Sequence, residues 1–454
     1  MKAVIQLFDF SQKVAYRTEV LAGLTVAMTM IPESLSFAIL AGFPPLTGLY
    51  AAFIMGLITA IFGGRPGMVS GGAGATAVVL IALMQSHGLQ YVFAAVALAG
   101  ALQIAAGLFR LGRFIRLVPQ PVMYGFVNGL AVIIFISQLE QFKTMVAGRA
   151  VWMTGAPLYT MLGLVALTVA VVLLFPKLTK AVPASLVAIL VVFAIVAGFG
   201  IDTRVVRDIA AVGGGLPFLH VPHIPLSLGT LQVILPYSII MASVGLIESL
   251  LTLNVVDEIT GTKGRGNKEC VAQGSANMLN GFFGGMGGCA MIAQTFVNLA
   301  AGSRARLSAI VGSITILMVI LFAAPVIERV PMAALTGVMM MVAIGTFEWM
   351  SFRVLGKMPK ADIFTGILVA AITVWLHNLA LAVLAGVVIS ALVFAWQSAK
   401  RIRARKYTDD AGVKHYEIYG PLFFGSVSAF HEKFNVTADP DIVIVDFREA
   451  GLQT

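Results

Sequence analysis

The chain has 454 residues, of which 59% are hydrophobic and only 11% charged, and it carries a formal net charge of +9. A soluble domain has about 25% charged residues, so a soluble enzyme or binding domain is excluded. A β-barrel is excluded as well, because its roughly ten-residue alternating segments are absent.

The opening, "MKAVIQLFDFSQKVAYRTEV", is amphipathic and lacks the apolar stretch of a cleavable signal. Residues 1–17 are therefore expected to form a cytoplasmic segment. Runs without Asp, Glu, Lys or Arg cover 66–109, 117–139, 150–176, 181–201, 209–247, 270–303 and 363–399. A spanning helix needs about 20 mostly apolar residues, and several of these runs hold two. Fourteen spans are predicted, near 20–39, 45–63, 74–87, 91–109, 118–138, 158–175, 182–199, 230–252, 268–283, 290–301, 307–324, 333–347, 361–377 and 380–398. An even number places both termini on one side. The short loops and termini of that side carry 22 Lys and Arg, whereas the other side carries only Lys143, Arg149, Arg204, Arg207 and Arg329. Basic residues favour cytoplasmic loops, so both ends are expected inside a cell inner or plasma membrane. The positive charge thus reads as topology and not as a nucleic-acid surface. The cluster Lys400, Arg401, Arg403, Arg405 and Lys406 reads as anchoring after the last span, with a lipid-headgroup site as the alternative.

Within the first span, "MIPESLSF" (30–37) carries Glu33, the only charged residue between Glu19 and Arg65. Shifting the sequence by 215 residues lays Glu33-Ser34-Leu35 over Glu248-Ser249-Leu250, and lays "SGGAGATAV" (70–78) over "GMGGCAMIA" (285–293). Seven spans then fall in each half. An odd number per half gives the halves opposite orientation, an inverted repeat of the kind found in secondary transporters. The glycines disfavour a full helix, since each costs about 1 kcal/mol relative to Ala. Each stretch is expected to be unwound backbone feeding a half-helix that begins near Ala75-Thr76 or Ala290-Met291. Two helix N-termini facing each other at mid-membrane would present unpaired N–H groups and partial positive charge to an anion. The competing reading is that these glycines only permit tight helix packing. "GGAGAT" lacks the Gly-Lys-Ser/Thr ending of a phosphate loop.

The stretches "GLTVAMTMIPESLSFAILAGFPPLTGLYAAF", "SGGAGATAVV", "LIESLLTLNVVDEITGTKGRGNKE" and "NMLNGFFGGMGGCAMIAQTFVN" resemble the SulP anion transporters, also called solute carrier family 26. The resemblance covers nearly the whole chain. It implies an all-α polytopic protein of about fourteen spans in a seven-plus-seven inverted repeat, like that of uracil permeases. A transmembrane domain over 18–399 would comprise a core (spans 1–4 and 8–11) and a gate (spans 5–7 and 12–14). The tail 400–454, with "KHYEIYGPLFFGSVSAF" and "DIVIVDFREAG", resembles the opening of a cytoplasmic α/β STAS domain and would be a truncated form of it. The family moves sulfate, bicarbonate, chloride or dicarboxylates and tends to form homodimers.

Carried over by position, the anion would contact Glu33, Phe37, Gly74, Ala75, Thr76, Ala290, Met291 and Ile292. Glu248 and Thr252 lie at i and i+4, on one helix face. In sodium-coupled relatives an acid and a hydroxyl at this spacing help to hold the cation. Those relatives also offer a hydroxyl at the start of span 10, where this chain has Ile292. Vertebrate exchangers tend to carry an arginine in that half-helix, where this chain has Ala293 and Gln294. Without a fixed cation, positive charge is expected to arrive as H⁺ or Na⁺ through Glu248, and through Glu33 as a second acid. An ionisable residue inside a span is a functional candidate by default.

Other residues read as structural. His220 and His223 in "LHVPHIP" are expected to be loop structure and not a metal pair, and His377 to cap span 13. Asn254, Asp257 and Glu258 read as solvated loop, or as groups that steady span 8. Cys270 and Cys289, the only cysteines, read as small reduced residues. No nucleophile–base pair or metal-ligand cluster points to an enzyme, and no cofactor is expected beyond the coupling ion. The leading reading is secondary active anion transport. A nucleobase permease on the same fold and a passive anion channel are the competitors, and the identity of the anion stays open.

Overall fold

The computed structural model describes residues 15–112, 119–146, 149–179, 183–208, 215–225, 227–354, 356–376, 379–399, 402–409, 412–422, 426–435, 438–440, 442–448 and 450–452. The segment 1–14, Arg113, Arg116, Lys180, His377, Lys400 and Arg401 lie outside them. Each of the fourteen predicted spans contains a helix among the described residues. The first half runs α1 (Tyr16–Leu40), α2 (Pro45–Phe62), β1 (Ser70–Gly72), α3 (Gly74–His87), α4 (Leu89–Leu108) and α5 (Gln120–Leu139). The hairpin β2 (Lys143–Val146) and β3 (Arg149–Trp152) leads to α6 (Ala156–Leu178) and α7 (Ala184–Phe199). The second half runs α8 (Leu228–Thr260), α9 (Gly266–Phe282), β4 (Gly288–Ala290), α10 (Ile292–Ala300) and α11 (Leu307–Phe322). The short α12 (Ala324–Glu328) precedes α13 (Met332–Thr346), α14 (Met350–Val354), α15 (Lys360–Leu376) and α16 (Leu379–Ala399). Among the described residues, seven stretches are by themselves long and apolar enough to cross a membrane: α1, α2, α4, α5, α6, α8 and the run Met332–Arg353.

Local chemistry sets the ends. Pro45 opens α2, where a missing N–H costs nothing. The Ser227 hydroxyl accepts from the Thr230 N–H at 3.2 Å and caps α8. Gly261, in the left-handed conformation at φ 65°, ends α8. This end lies eight residues beyond the predicted boundary at 252. Asp257 is therefore helical: it pairs with Arg65 at 3.3 Å and accepts the Gly264 N–H at 2.8 Å. Arg65 also donates to the Val256 carbonyl at 3.3 Å and to the Thr260 hydroxyl. Burial pulls the Arg65 pKa below its ordinary value, and the Asp257 charge opposes that shift. The solvated-loop reading of this stretch is corrected, because a helix end held by a buried arginine looks, in sequence, like any polar loop.

The helices pack in two groups. One holds α1–α4 and α8–α11, with α4 on α9 and α1 on α11 as major seams; the other holds α5–α7, α13, α15 and α16. Small residues let backbones approach, as is general in membranes. A Cβ on Gly100 of α4 would lie 2.3 Å from the Met278 nitrogen of α9.

The tail forms a four-stranded sheet of β5 (Arg403–Thr408), β6 (Lys414–Leu422), β7 (Val443–Asp446) and β8 (Ala450–Leu452), with α17 (Val427–His431) between β6 and β7. β5 runs antiparallel to β6, and β7 and β8 add parallel to β6. Tyr416 and Ile418 pack against Phe430 and Phe434. Arg403, Arg405 and Lys406, expected to be plain juxtamembrane charge, lie on β5, where a run of alternating residues pairs with β6. Charge alone could not show that pairing.

Candidate functional site

The glycine-rich stretches are more ordered than unwound backbone. β1 and β4 pair antiparallel, with Ser70 opposite Ala290, Gly71 opposite Cys289 and Gly72 opposite Gly288. Only glycine fits at Gly288, since a Cβ there would lie 1.9 Å from the Gly71 carbonyl oxygen. Gly287, at φ 73°, makes the turn into β4.

Each strand feeds a short helix. α3 begins at Gly74 with Ala73 as its N-cap, and α10 begins at Ile292 with Met291 as its N-cap. No side chain caps either helix, so the first N–H groups of both remain available to a ligand. Ala290 is accordingly a strand residue and Met291 a cap. The two helix starts lie slightly further apart in sequence than Glu33 and Glu248, because α8 runs further past Glu248 than α1 runs past Glu33.

Polar side chains fix the strand pair from α8 and α9. The Asn277 amide donates to the Gly288 carbonyl at 2.9 Å and to Gln103 Oε1 at 2.9 Å, while its oxygen accepts the Gly288 N–H at 2.8 Å. Gln273 donates to the Ser70 hydroxyl at 2.8 Å. The Ala290 N–H donates to Ser249 Oγ at 3.0 Å. Thr295 Oγ1 accepts the Val69 N–H at 3.0 Å, and the Met291 N–H donates to the Val69 carbonyl at 2.9 Å. All of Ser249, Gln273, Asn277 and Thr295 are buried. A buried network of this kind favours one geometry; among the described residues, Gln273 Oε1 is the atom of this network left buried without a partner.

The expected ligand-facing residues gather around this frame. Phe37 lies one helical turn beyond Glu33 on α1, and its ring covers Gly74: a Cβ there would lie 2.5 Å from Phe37 Cε1. The half-buried Glu33 carboxylate accepts the side-chain amide of Gln294, in the first turn of α10. Thr76 is fully buried and returns its hydroxyl to the Ala73 carbonyl at 2.9 Å. Ala75 is buried and Ile292 half-buried. On α8, Glu248 and Thr252 both face β4. The Cys289 thiol donates to Glu248 Oε2 at 3.0 Å. The Thr252 hydroxyl donates to its own helix at the Glu248 carbonyl, at 2.8 Å, and lies 3.4 Å from the Ala290 carbonyl. A cavity of about 570 Å³ borders the following turns of α3 at Val78, Val79 and Ala82, with Ile133 and Glu140 of the α5 end and Tyr237 of α8 opposite.

His220 and His223 serve the 215–225 loop. A His220 ring nitrogen lies 2.9 Å from Gln90 Oε1, and the His223 N–H donates to the same oxygen at 3.1 Å. Among the described residues no group of three or more His, Cys, Asp or Glu is placed to hold a metal ion. Sequence reasoning named Gln294 in the half-helix but missed Ser249, Gln273, Asn277 and Thr295 as parts of the site. No local signal marks them: α9, for one, carries Asn267, Ser275 and Asn280 as well as Gln273 and Asn277.

A helical membrane bundle with two short helices, opposed through a strand pair and uncapped at their N-termini, fits a membrane transport protein. The chain belongs to the Sulfate permease family, whose profile matches residues 16–369. It is 41% identical over 434 residues to the "Putative sulfate transporter YbaR" of Bacillus subtilis (strain 168), covering 96% of this chain and 88% of that protein. It is 29% identical over 476 residues to the "Bicarbonate transporter BicA" of Picosynechococcus sp., covering 95% and 83%. Among solved structures, the transmembrane domain of a cyanobacterium bicarbonate transporter BicA matches with TM-score 0.70 and 29% identity, covering 83% of this chain and 98% of that one. Murine Solute Carrier 26 family member A9 in the inward-facing state shares the fold, with TM-score 0.81 and 17% identity over 98% and 83%.

Proposed function

We propose that the chain carries out secondary active transport of a small anion, sulfate, bicarbonate or a dicarboxylate, coupled to H⁺ or Na⁺. The observation that carries this reading is the pair of uncapped N-termini at Gly74 and Ile292, joined back to back by β1 and β4. Partial positive charge and free N–H groups at both ends suit an anion of any of these kinds. The names of the relatives, sulfate and bicarbonate transporters, agree with that class.

In this reading the anion sits among Glu33, Phe37, Gly74, Ala75, Thr76, Ala290, Met291 and Ile292. The bond from Gln294 supports a role for Glu33 in the wall of the site, because a carboxylate held by an amide is drawn away from the anion. Glu248 and Thr252 serve the coupling ion. The helix group α1–α4 with α8–α11 acts as core and the other group as gate, related as two inverted seven-span halves, and alternating access moves one against the other. Both termini lie in the cytoplasm of the cell that carries this protein in its plasma membrane, the 400–454 sheet is a STAS-like segment, and the protein works as a homodimer.

The test is uptake into proteoliposomes, with sulfate, bicarbonate and fumarate competing at two pH values, with and without a Na⁺ gradient. Saturable uptake driven by one of the cation gradients is expected. Uptake indifferent to both pH and Na⁺ would overturn the coupling, and large single-channel currents would overturn the carrier.

A further inference from the structure

The Glu248 carboxylate is held from outside its own helix, and by an unusual donor. Among the described residues the only hydrogen-bond donor to it is the Cys289 thiol, at 3.0 Å to Oε2. Cys289 is fully buried and reduced. It sits at the middle of β4, opposite Gly71. Both of its neighbours are pinned. Gly288 is bonded at N–H and carbonyl by Asn277, and the Ala290 N–H is bonded by Ser249. The strand therefore cannot shift the sulfur, and the sulfur fixes the carboxylate.

We propose that Cys289 is a positioning residue: its thiol tethers the Glu248 carboxylate to the strand that joins the two half-helices, setting the place from which Glu248 meets the coupling ion. The proposal rests on the reading of Glu248 as the coupling-ion residue. A thiol is a weak donor. It aims the carboxylate through Oε2 and does not engage Oε1, the oxygen through which a cation would be met, so the tether can persist when the ion binds. The contact also links the acid on α8 directly to the frame that presents the N–H groups of α3 and α10. Thr252 and Ser249 of α8 touch the same strand only through its backbone at Ala290. Cys289 makes the one side-chain link from β4 to an ionisable group among the described residues.

The test uses reconstituted full-length chain and reads anion uptake as a function of cation concentration, with Na⁺ and H⁺ titrated separately. Cys289→Ala and Cys289→Ser both replace the sulfur by a smaller atom, but only serine keeps a donor. C289A is expected to need about tenfold more Na⁺ for half-maximal uptake at unchanged maximal rate, because the carboxylate is no longer pre-aimed, whereas the H⁺ concentration for half-maximal uptake should fall, because the lost donor no longer favours the charged carboxylate. C289S is expected to stay within about threefold of the parent. In a Glu248→Gln background the two cysteine variants should be indistinguishable. The proposal is overturned if C289S fails as C289A does, if the loss appears in the maximal rate alone, or if the difference between the variants survives in E248Q. Failure of the underlying reading shows itself separately, as an E248Q single variant with Cys289 intact that keeps the parent cation dependence.

Discussion

Gln294 in the first turn of α10 donates its amide to the carboxylate of Glu33 on α1, so the acid proposed for the wall of the site is bound to the helix whose uncapped N-terminus is proposed to meet the anion. Removing the donor leaves a carboxylate without its partner beside an anion. A hydrogen bond to a charged group contributes about 1.5–3 kcal/mol, so Gln294→Ala is expected to lower anion uptake at least tenfold. Adding Glu33→Gln removes the charge that the amide had managed and should recover part of the loss. Initial uptake rates in matched proteoliposomes decide it; a double variant no better than Q294A would sink the argument.

The ring of Phe37 over Gly74 yields a second expectation. A methyl at position 74 lies 2.5 Å from Cε1, so Gly74→Ala must displace the ring or the helix start. Overpacking of this kind costs about 1–3 kcal/mol. Uptake should fall while the protein still purifies folded. Phe37→Leu in the same chain should restore it, since a smaller side chain makes room. If the double variant stays inactive, the ring is not what the methyl strikes.

Gly71 and Gly288 face the strand pair from opposite partners and should differ sharply in tolerance. At Gly288 the obstacle is the Gly71 carbonyl at 1.9 Å, which is backbone. At Gly71 it is the terminal methyl of Met30 at 2.3 Å, the far end of a flexible thioether. Gly288→Ala is expected to abolish folded protein in detergent, and Gly71→Ala to cost only a few degrees of Tm. Fluorescence-detected size exclusion and thermal melts compare the two directly.

Much of this architecture was legible in the sequence. The spans could be placed because apolar runs of that length have few alternatives in a bilayer, and the bias of basic residues checks their number. The half-helix starts fell within two residues of their place, since so many glycines cannot sustain helix. What the reading missed depends on partners distant in sequence. β1 and β4 are three residues each, too short for an alternating pattern, and exist only because they meet. Asp257 reads as loop until Arg65 is seen beside it. Gln273 and Asn277 are two among several polar residues on α9, and nothing local says that these two hold a strand from another part of the chain. The tail strand β5 hid in a basic run whose pairing partner, β6, begins only at Lys414.

Asn277 offers a fourth test. Asn277→Leu strips partners from the Gly288 N–H and carbonyl and from Gln103 Oε1, all in the interior. Unsatisfied buried groups cost about 1–3 kcal/mol each. The variant should lose several degrees of Tm and most uptake, and a variant that melts with the parent would show that the network does not carry the strand.

The tail carries a pH dependence of its own. Asp439 accepts from Lys414 at 2.5 Å and from the Tyr416 hydroxyl at 2.7 Å. The Lys414 bond, and then the Tyr416 bond, hold the Asp439 carboxyl below its ordinary 3.8, and Asp439 raises Lys414 above its ordinary 10.5. An acid whose folded pKa is depressed adds stability that is complete above its ordinary value and lost as pH falls through the depressed one. A lysine whose pKa is raised loses its contribution only above that raised value. The sheet should therefore hold through neutral pH and loosen in acid below about pH 4. Hydrogen exchange across β6 and β7 reads this out, with Asp439→Asn as the comparison that lacks this carboxyl and keeps the Asp446–Arg448 pair at the end of β7.

The bonding of Gly71 to Cys289 and of Ser70 to Ala290 has a consequence for selectivity. The two helix ends that would meet a ligand are parts of one solid piece, braced on its back by Gln273 and Asn277. If the anion binds between these helix ends, as proposed, parting them would mean breaking the strand pair, and the seat would then act as a fixed gauge for its cargo and not as a closing jaw.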